Sequence, residues 1–140
     1  MEIELTAKTI QKYSKKSIAQ LLKKATEVFN RYIRDRDRDG DYFTCISCGQ
    51  MKPVSKMQAG HYLSAGHNGV VRFHEDNVHG QCIRCNMHLH GNQERYRAGL
   101  IRKIGVERVE ALEQLSRMSG HKWDRFGLIH LIETYKRKLS

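Results

Sequence analysis

The chain has 140 residues, among them 25 Lys or Arg and 15 Asp or Glu, which gives a formal net charge of +10. A chain of this size most often folds as one compact unit, and a positive charge of this size attracts polyanions. No apolar run is long enough to span a bilayer and no signal-peptide pattern opens the chain, so we expect a soluble, intracellular protein and favour nucleic acid over an anionic membrane surface as its partner.

Residues 1–40 are predicted to form an arm followed by a basic amphipathic helix. Residues 1–14 show weak periodicity and are expected to be loosely docked or partly disordered. From Ser17, a natural N-cap, apolar residues recur at three- and four-residue steps, as in an amphipathic helix. The opposite face is basic and either follows a phosphate backbone or is simply solvated. Its candidate DNA-contact residues are Lys23, Lys24, Arg31 and Arg34.

The run from Arg34 to Gly40 alternates in charge sign and ends in glycine. This pattern predicts a helix end that passes into a turn, with local ion pairing rather than a carboxylate metal site. The β-prone residues 42–44 then lead into Cys45 and Cys48. Gly49 follows them, as in a zinc knuckle, because the tight turn that aims both sulfurs at one point needs a left-handed residue.

The rest of the chain alternates between strand-like, loop-like and helical patterns. Residues 57–62 and 70–73 are predicted strands, and residues 82–90 a helix that Gly91 interrupts. Asn92 is expected to cap a helix over 93–104, another follows Gly105, and Asp124 is expected to cap a closing helix. The predicted division is an N-terminal segment (1–40), a zinc-stapled core (41–92) and a C-terminal helical region (93–140), together one compact unit.

The four cysteines of the chain form two Cys-x-x-Cys pairs. Structural zinc takes four ligands in a tetrahedron and thiolates are its commonest partners, so this spacing favours a zinc site over a redox dithiol or an iron–sulfur cluster. Such a site would supply much of the free energy of folding. The predicted zinc ligands are Cys45, Cys48, Cys82 and Cys85.

Polar residues near the cysteines could support hydrolysis of a phosphodiester. That reaction needs a base that activates water and a cation that stabilises charge on the phosphate. His61 lies on a predicted strand between the cysteine pairs, and Asn86 and His90 are four residues apart, hence on one face of a helix. These side chains could supply both requirements.

The order of a strand histidine, a loop asparagine and a Cys-x-x-Cys pair followed by a metal-ligand helix resembles the HNH, or ββα-metal, nucleases. More narrowly, residues 18–116 resemble the phage NinG (Rap) recombination proteins. The motifs that carry this resemblance are Arg36-Asp37-Arg38-Asp39, Cys45-Ile46-Ser47-Cys48-Gly49, Ala59-Gly60-His61-Tyr62, Gln81-Cys82, Cys85-Asn86, Gly91-Asn92 and Tyr96-Arg97.

The resemblance implies a small α+β fold, with a zinc-bound, treble-clef-like ββα-metal core between flanking helices. It implies a structure-specific endonuclease that cuts branched DNA, such as Holliday junctions and D-loops, during phage recombination in the cytoplasm of a bacterial host. His61 would be the general base, Asn77 would pin the loop behind it, and Asn86 would bind a catalytic Mg²⁺ or Mn²⁺. A homodimer, and contacts with other phage recombination proteins, would suit a two-fold junction.

Two departures from the related proteins matter. Resolvases of the endonuclease VII type place an aspartate metal ligand directly before the base histidine, whereas this chain has Gly60. We expect His90 to replace that ligand, with His88, Asp76, Gln58 and Glu94 as reserves. Longer family members are expected to begin with a basic, cysteine-containing region, so any DNA affinity that it contributes is expected here from residues 1–38 and the C-terminal helices.

A non-catalytic zinc module that binds branched or single-stranded nucleic acid is the alternative hypothesis. It accounts for the charge and the cysteines but leaves the spacing of His61, Asn77 and Asn86 to chance. Under either hypothesis, further phosphate contacts are sought at Arg72, Arg84, Arg95 and Arg97. No role is assigned to His67, His74, His79, His121 or His130, and the region around Trp123 and Tyr135 is expected to be core.

Overall fold

The computed structural model describes residues 3–64, 66, 69–118 and 121–140, so His67 lies outside the described residues. The chain forms two compact units. The terminal unit comprises the residues up to Tyr32 together with Lys122–Ser140, and the central unit comprises Ile33–His121. Within the described part of the chain, no helix is both long and apolar enough to cross a membrane. The predicted division at residues 40 and 92 stays a prediction.

The terminal unit begins with helix α1, Ala7–Lys12, whose N-cap Thr6 accepts a hydrogen bond from the Thr9 amide. Tyr13, directly after α1, is only 2% exposed. Its hydroxyl donates to Glu133 Oε2 at 3.1 Å. The expectation of a loosely docked arm is therefore wrong for this segment, because one aromatic side chain anchors it.

Helix α2, Ile18–Asp37, begins at the predicted cap and runs from the terminal into the central unit. Ser17 Oγ accepts from the Gln20 amide at 3.1 Å, and Gln20 Oε1 accepts from the Ser17 amide at 2.8 Å. This reciprocal pair is a capping box, so the predicted N-cap is confirmed. The apolar stripe of α2 is buried in the terminal unit at Leu21, Ala25 and Phe29.

Helix α5, Arg125–Leu139, completes the terminal unit. Asp124 caps it as predicted, since its Oδ1 accepts from the Gly127 amide at 2.7 Å. The rings of Phe29 and Tyr135 meet edge to face, with centroids 4.9 Å apart. Tyr135 is buried and Trp123 is half-buried, which confirms the core expectation for Tyr135.

The central unit contains two small antiparallel sheets. The first joins β1 (Arg38–Asp39), β2 (Tyr42–Thr44) and β3 (Met51–Pro53) in that order. The second pairs β4 (Met57–His61) with β5 (Val78–Cys82), so that Met57 lies opposite Cys82 and His61 opposite Val78. A short turn of 3-10 helix, Val54–Lys56, connects the two sheets.

Two predictions for this region are wrong. Residues 70–73 do not form the second strand, because the strand that pairs with β4 is β5; the segment holds a 3-10 turn, Gly69–Val71, and a second one follows at Glu75–Asn77. Cys82 ends β5 instead of opening a helix, since the Cys82 amide donates to Cys45 Sγ. The helical segment is shorter than expected and is a π-helical turn, Arg84–His88.

Helices α3 (Gln93–Ile104) and α4 (Val106–Ser116) close the central unit on either side of Gly105. Asn92 has a left-handed backbone and its side chain does not cap α3, contrary to the prediction. Gly99 lies so close to the zinc-knuckle segment that a Cβ there would be 1.9 Å from the Ile46 carbonyl oxygen. The buried core that surrounds this contact consists of Ile46, Tyr62, Val71, Tyr96, Leu100, Val109 and Leu112. The protein is therefore a small α+β fold with helices and two small sheets.

Candidate metal and catalytic site

The four cysteines converge on one point in the central unit. One Sγ atom from each of Cys45, Cys48, Cys82 and Cys85 lies within 4.8 Å of the other three, and Cys48 and Cys82 are 3.9 Å apart. A tetrahedral zinc site with bonds of about 2.3 Å separates its sulfurs by about 3.8 Å. The cluster therefore fits one tetrahedral metal ion such as Zn²⁺.

Local backbone geometry aims these sulfurs inward. Gly49, with φ of 72°, closes the turn between β2 and β3, and its amide donates to the Cys45 carbonyl at 3.0 Å. The Cys82 amide donates to Cys45 Sγ at 3.3 Å, and Asn92 Nδ2 donates to Cys85 Sγ at 3.4 Å. Donors of this kind stabilise thiolate charge and orient metal ligands. Asn92, expected as a helix cap, thus serves the sulfur cluster instead.

His61 is the last residue of β4, and one ring nitrogen is held by a hydrogen bond. Its Nε2 lies 3.0 Å from the Arg72 carbonyl oxygen, which can only accept, so Nε2 carries the proton and Nδ1 keeps a lone pair. Burial lowers the pKa of His61; the bond to the carbonyl raises it, and the charge of Arg72 lowers it further, for a net decrease. The imidazole is therefore neutral at neutral pH, the form that accepts a proton.

Asn77 is fully buried and holds the loop between β4 and β5. Its Oδ1 accepts from the Leu63 amide at 2.8 Å, while its Nδ2 donates to the carbonyls of Leu63 and Val71 at 3.0 and 3.1 Å. Val71 directly precedes Arg72, whose carbonyl orients His61. The amide of Asn77 therefore stabilises the chain on both sides of the His61 ring contact.

Asn86 lies on the π-helical turn and contacts β4. Its Nδ2 donates to Gln58 Oε1 at 2.7 Å, which leaves the Asn86 Oδ1 as a possible metal ligand. His88 and His90 are exposed on the same turn and just after it. Among the described residues, the cysteines form the one group of three or more His, Cys, Asp or Glu side chains close enough to share an ion. The structure thus does not gather His88 or His90 into a second cluster.

The other reserve ligands are also dispersed. Both carboxylate oxygens of Asp76 bind the guanidinium of Arg108. Gln58 is engaged by Asn86, and Glu94 is exposed on α3.

The space beside Gly60 is filled by Gln81. A Cβ at residue 60 would lie 2.0 Å from Gln81 Oε1. Gln81 cannot move away freely, because its Nε2 donates to Ser47 Oγ at 2.9 Å and to the Gly91 carbonyl at 2.7 Å. Its Oε1 is buried and finds no hydrogen-bond donor among the described residues. An aspartate at position 60 is therefore incompatible with this arrangement.

Sequence reasoning assigned no role to His79, yet it is 2% exposed at the centre of a polar cluster. Its Nδ1 accepts from Lys103 Nζ at 2.8 Å and from the Arg36 guanidinium at 3.1 Å, so its Nε2 carries the proton and donates to the Asp76 carbonyl at 3.0 Å. Burial, together with the charges of Lys103 and Arg36, lowers the pKa of His79 to about 4.

Asp37 completes this cluster. Local pairing with Arg36 was expected and is present at 2.7 Å, but Asp37 also accepts from Lys103 Nζ at 3.1 Å and from the Gly80 amide at 2.7 Å. Burial opposes ionisation, and the Arg36 hydrogen bond, the Lys103 charge and the Gly80 amide outweigh it, so the pKa of Asp37 falls to about 2. No pattern in the local sequence distinguishes Asp37 from its acidic neighbours.

The predicted DNA-contact residues differ in their freedom. Arg97 is held by Glu113 through two hydrogen bonds of 2.8 and 3.0 Å, so its position is structural. The Nε of Arg72 is buried without a partner among the described atoms. Of the remaining candidates, Lys23, Arg31, Arg84 and Arg95 are exposed, and Lys24 and Arg34 are half-buried.

The fold and the four-cysteine site define a small α+β protein with a candidate zinc centre. The family model described as Bacteriophage Lambda NinG protein matches residues 2–140. The chain is 40% identical over 131 residues to Protein ninG of Escherichia phage lambda, which covers 94% of this chain and 61% of that relative. It is 36% identical over 131 residues to Protein ninG of Salmonella phage P22, which covers 94% of this chain and 62% of that relative.

The chain belongs to the NinG family of phage proteins. It spans about three fifths of the length of the curated relatives it matches. No solved structure matches it significantly.

We predict that the purified chain contains one zinc ion, and that Cys82→Ser or strong chelation unfolds much of the central unit. Without the metal ion, nothing offsets the charges of the neighbouring thiolates. The central unit then unfolds, because metal binding is coupled to folding. Metal analysis and circular dichroism during thermal unfolding measure both effects. An unchanged melting transition after complete zinc removal would contradict a structural role for zinc.

Gly60→Ala should lower the free energy of unfolding by about 1–3 kcal/mol, the usual cost of overpacking. The new Cβ overlaps Gln81 Oε1, so removing that side chain should relieve the strain. In a double-mutant cycle measured by urea unfolding, Gly60→Ala combined with Gln81→Ala should cost clearly less than the two single costs added together. Additive costs would show that the two positions do not compete for space.

The His79 ring should stay neutral, with its proton on Nε2, from pH 7.5 down to pH 5 in the zinc-loaded protein. Its folded pKa of about 4 lies below the ordinary 6.5, so the unfolded chain binds more protons between these values and stability falls as pH decreases through that window. Side-chain nitrogen NMR measures protonation directly. Lys103→Met should raise the His79 pKa; a midpoint near 6.5 in the unmodified protein would refute the assignment.

Proposed function

We propose that this chain is a metal-dependent endodeoxyribonuclease of the HNH, or ββα-metal, type that cuts branched recombination intermediates such as Holliday junctions and D-loops. The observation that carries the proposal is the arrangement of His61 on β4, oriented by a carbonyl in the loop that Asn77 holds. The strand pair β4–β5 is followed directly by the helical turn with Asn86, which is the ββα order. Membership of a phage protein family supports a role in phage recombination.

The chain's own groups divide the work of hydrolysis. Nδ1 of His61 would take the proton of a water molecule that attacks phosphorus in line with the departing 3′ oxygen, leaving a 5′-phosphate. The Arg72 carbonyl keeps the ring in the required tautomer. Burial and the positive charge of the Arg72 guanidinium lower the pKa of His61, which keeps the ring in its base form.

A divalent ion, Mg²⁺ or Mn²⁺, would be held by Oδ1 of Asn86, with His90 and then His88 as the next candidates. The amide oxygen of Asn86 suits Mg²⁺, which keeps several waters and uses few protein ligands beside phosphate oxygens, whereas histidine nitrogens match this hard ion poorly. When bound, such an ion supplies neutralisation of charge on the phosphate and on the leaving oxygen. Residue 60 is glycine and supplies no carboxylate, and Gln81 fills the space that such a side chain would need.

A homodimer that places two such sites on opposite strands would suit the two-fold symmetry of a junction. Other phage recombination proteins are candidate partners.

The second candidate is a zinc module that binds branched or single-stranded nucleic acid without cutting it. Two observations favour it: residue 60 offers no carboxylate, and the described residues hold no second cluster of His, Cys, Asp or Glu beside the four cysteines.

His61→Ala should reduce cleavage of a four-way junction in Mg²⁺ or Mn²⁺ by about 10²–10⁴-fold, the usual contribution of a general base. Binding of the same junction should change little, which fluorescence anisotropy of the zinc-loaded protein without added Mg²⁺ or Mn²⁺ measures. His130→Ala, another half-buried histidine, is the matched control and should cut normally. Because the pKa of His61 is lowered, its base form persists and wild-type cleavage should hold as pH falls through 6.5.

Two outcomes would overturn the enzyme proposal or its base. If the wild-type protein binds junctions but does not cut them with either metal, the enzyme proposal is contradicted and the non-catalytic zinc module remains. Equal cutting by wild type and His61→Ala would remove His61 from the mechanism.

A further inference from the structure

The positive charge of the chain is concentrated in the terminal unit. Residues 1–32 and 122–140 together contain twelve Lys or Arg and five Asp or Glu, whereas the central unit contains thirteen and ten. The terminal unit thus carries +7 of the net +10 in 51 residues, although the candidate catalytic residues all belong to the central unit.

Part of this charge lines a groove between α2 and α5. The groove has a volume of about 360 Å³ and presents Lys24, Arg31 and Lys136, with Glu27 as its acidic member. Lys24 and Arg31 are seven residues apart, which is about two turns of an α-helix, so both lie on the same face of α2. The remaining lining is formed by Val28, Leu139 and Ser140.

More cations crowd around Lys136. Burial lowers its pKa, and so do the charges of Lys12, Lys24 and Lys16, while Glu133 opposes them. Glu133 also pairs with Lys12 at 3.5 Å and accepts from Tyr13. The Glu133 carboxylate is therefore shared between Lys12 and Lys136, and the like charges around Lys136 repel one another in the free protein.

Helix stabilisation explains only some of these residues. Lys12 ends α1, and Lys136 lies in the last turn of α5, where cations interact favourably with free carbonyls. Lys24 and Arg31 lie in the interior of the 20-residue helix α2, where that effect has faded.

We propose that this groove, together with Lys12 and Lys16, binds the phosphates of duplex DNA. The proposal rests on the proposed function for its choice of DNA as the polyanion. A groove lined by cations and few other polar groups contacts phosphates rather than base edges, so binding is independent of sequence. The terminal unit then supplies affinity and the central unit supplies the reaction.

The test is the triple variant Lys24→Gln/Arg31→Gln/Lys136→Gln, measured by anisotropy of the zinc-loaded protein on a labelled linear duplex and a four-way junction without added Mg²⁺ or Mn²⁺. Its affinity for both should fall by about 10-fold or more, and the slope of log K against log salt should become shallower by about 0.9 for each lost phosphate contact. On saturating junction, its maximal cleavage rate should match wild type. The replacement Lys24→Arg/Lys136→Arg should retain binding.

The control Lys52→Gln/Lys56→Gln/Arg117→Gln removes the same charge from the central unit and should keep most of the affinity. Equal losses in the two triple variants, both folded by circular dichroism, would overturn the groove. So would normal DNA binding by the groove variant with loss of binding to phosphatidylglycerol vesicles, which would identify a membrane ligand.

The two proposals fail separately. If wild type cuts junctions and the groove variant binds them normally, the groove proposal is contradicted and the nuclease proposal stands. If wild type binds duplex DNA through the groove but does not cut junctions, the nuclease proposal is contradicted and the groove proposal stands.

Discussion

The central unit depends on the convergence of four thiols that are distant in sequence. Their sulfurs lie within 4.8 Å of one another, where four ionised thiolates would repel strongly without a cation. One ion such as Zn²⁺ would resolve that conflict and would join the turn after β2, the end of β5 and the π-helical turn. Backbone contacts reinforce the junction, since the Ile46 amide donates to the Gly80 carbonyl at 3.0 Å. A metal here would therefore tie the turn after β2 to the end of β5, the strand that pairs with β4 and places His61.

The position of His61 depends on that junction. Cys82 pairs with Met57 at one end of the β4–β5 ladder, and this register sets His61 opposite Val78 at the other end. Asn77, one residue before Val78, then holds the loop whose carbonyl orients the His61 ring. Tyr96 braces the same strand from α3 by donating to the Gly60 carbonyl at 2.7 Å. The sulfur cluster and His61 thus lie at opposite ends of the β4–β5 strand pair.

Features encoded locally were predictable from the sequence. The two Cys-x-x-Cys pairs, the caps at Ser17 and Asp124, and the helix over 93–104 each follow from residue type and spacing. The second strand was misplaced, because β5 has buried residues at all five positions and lacks the alternation that marks a half-exposed strand. Gln81 against Gly60, and the cluster of Asp37, Lys103 and His79, could not be predicted, since these contacts join residues 21 to 66 positions apart.

The four sulfurs are positioned to bind one metal ion, and the hairpin that carries His61 begins at this site. Zinc-edge X-ray absorption of the purified chain measures the ligand set and bond lengths directly. We predict four sulfur ligands at about 2.3 Å and no nitrogen or oxygen neighbour in the inner sphere. A mixed shell containing histidine nitrogen, or two disulfides with no bound zinc, would contradict the junction on which the hairpin and its histidine depend.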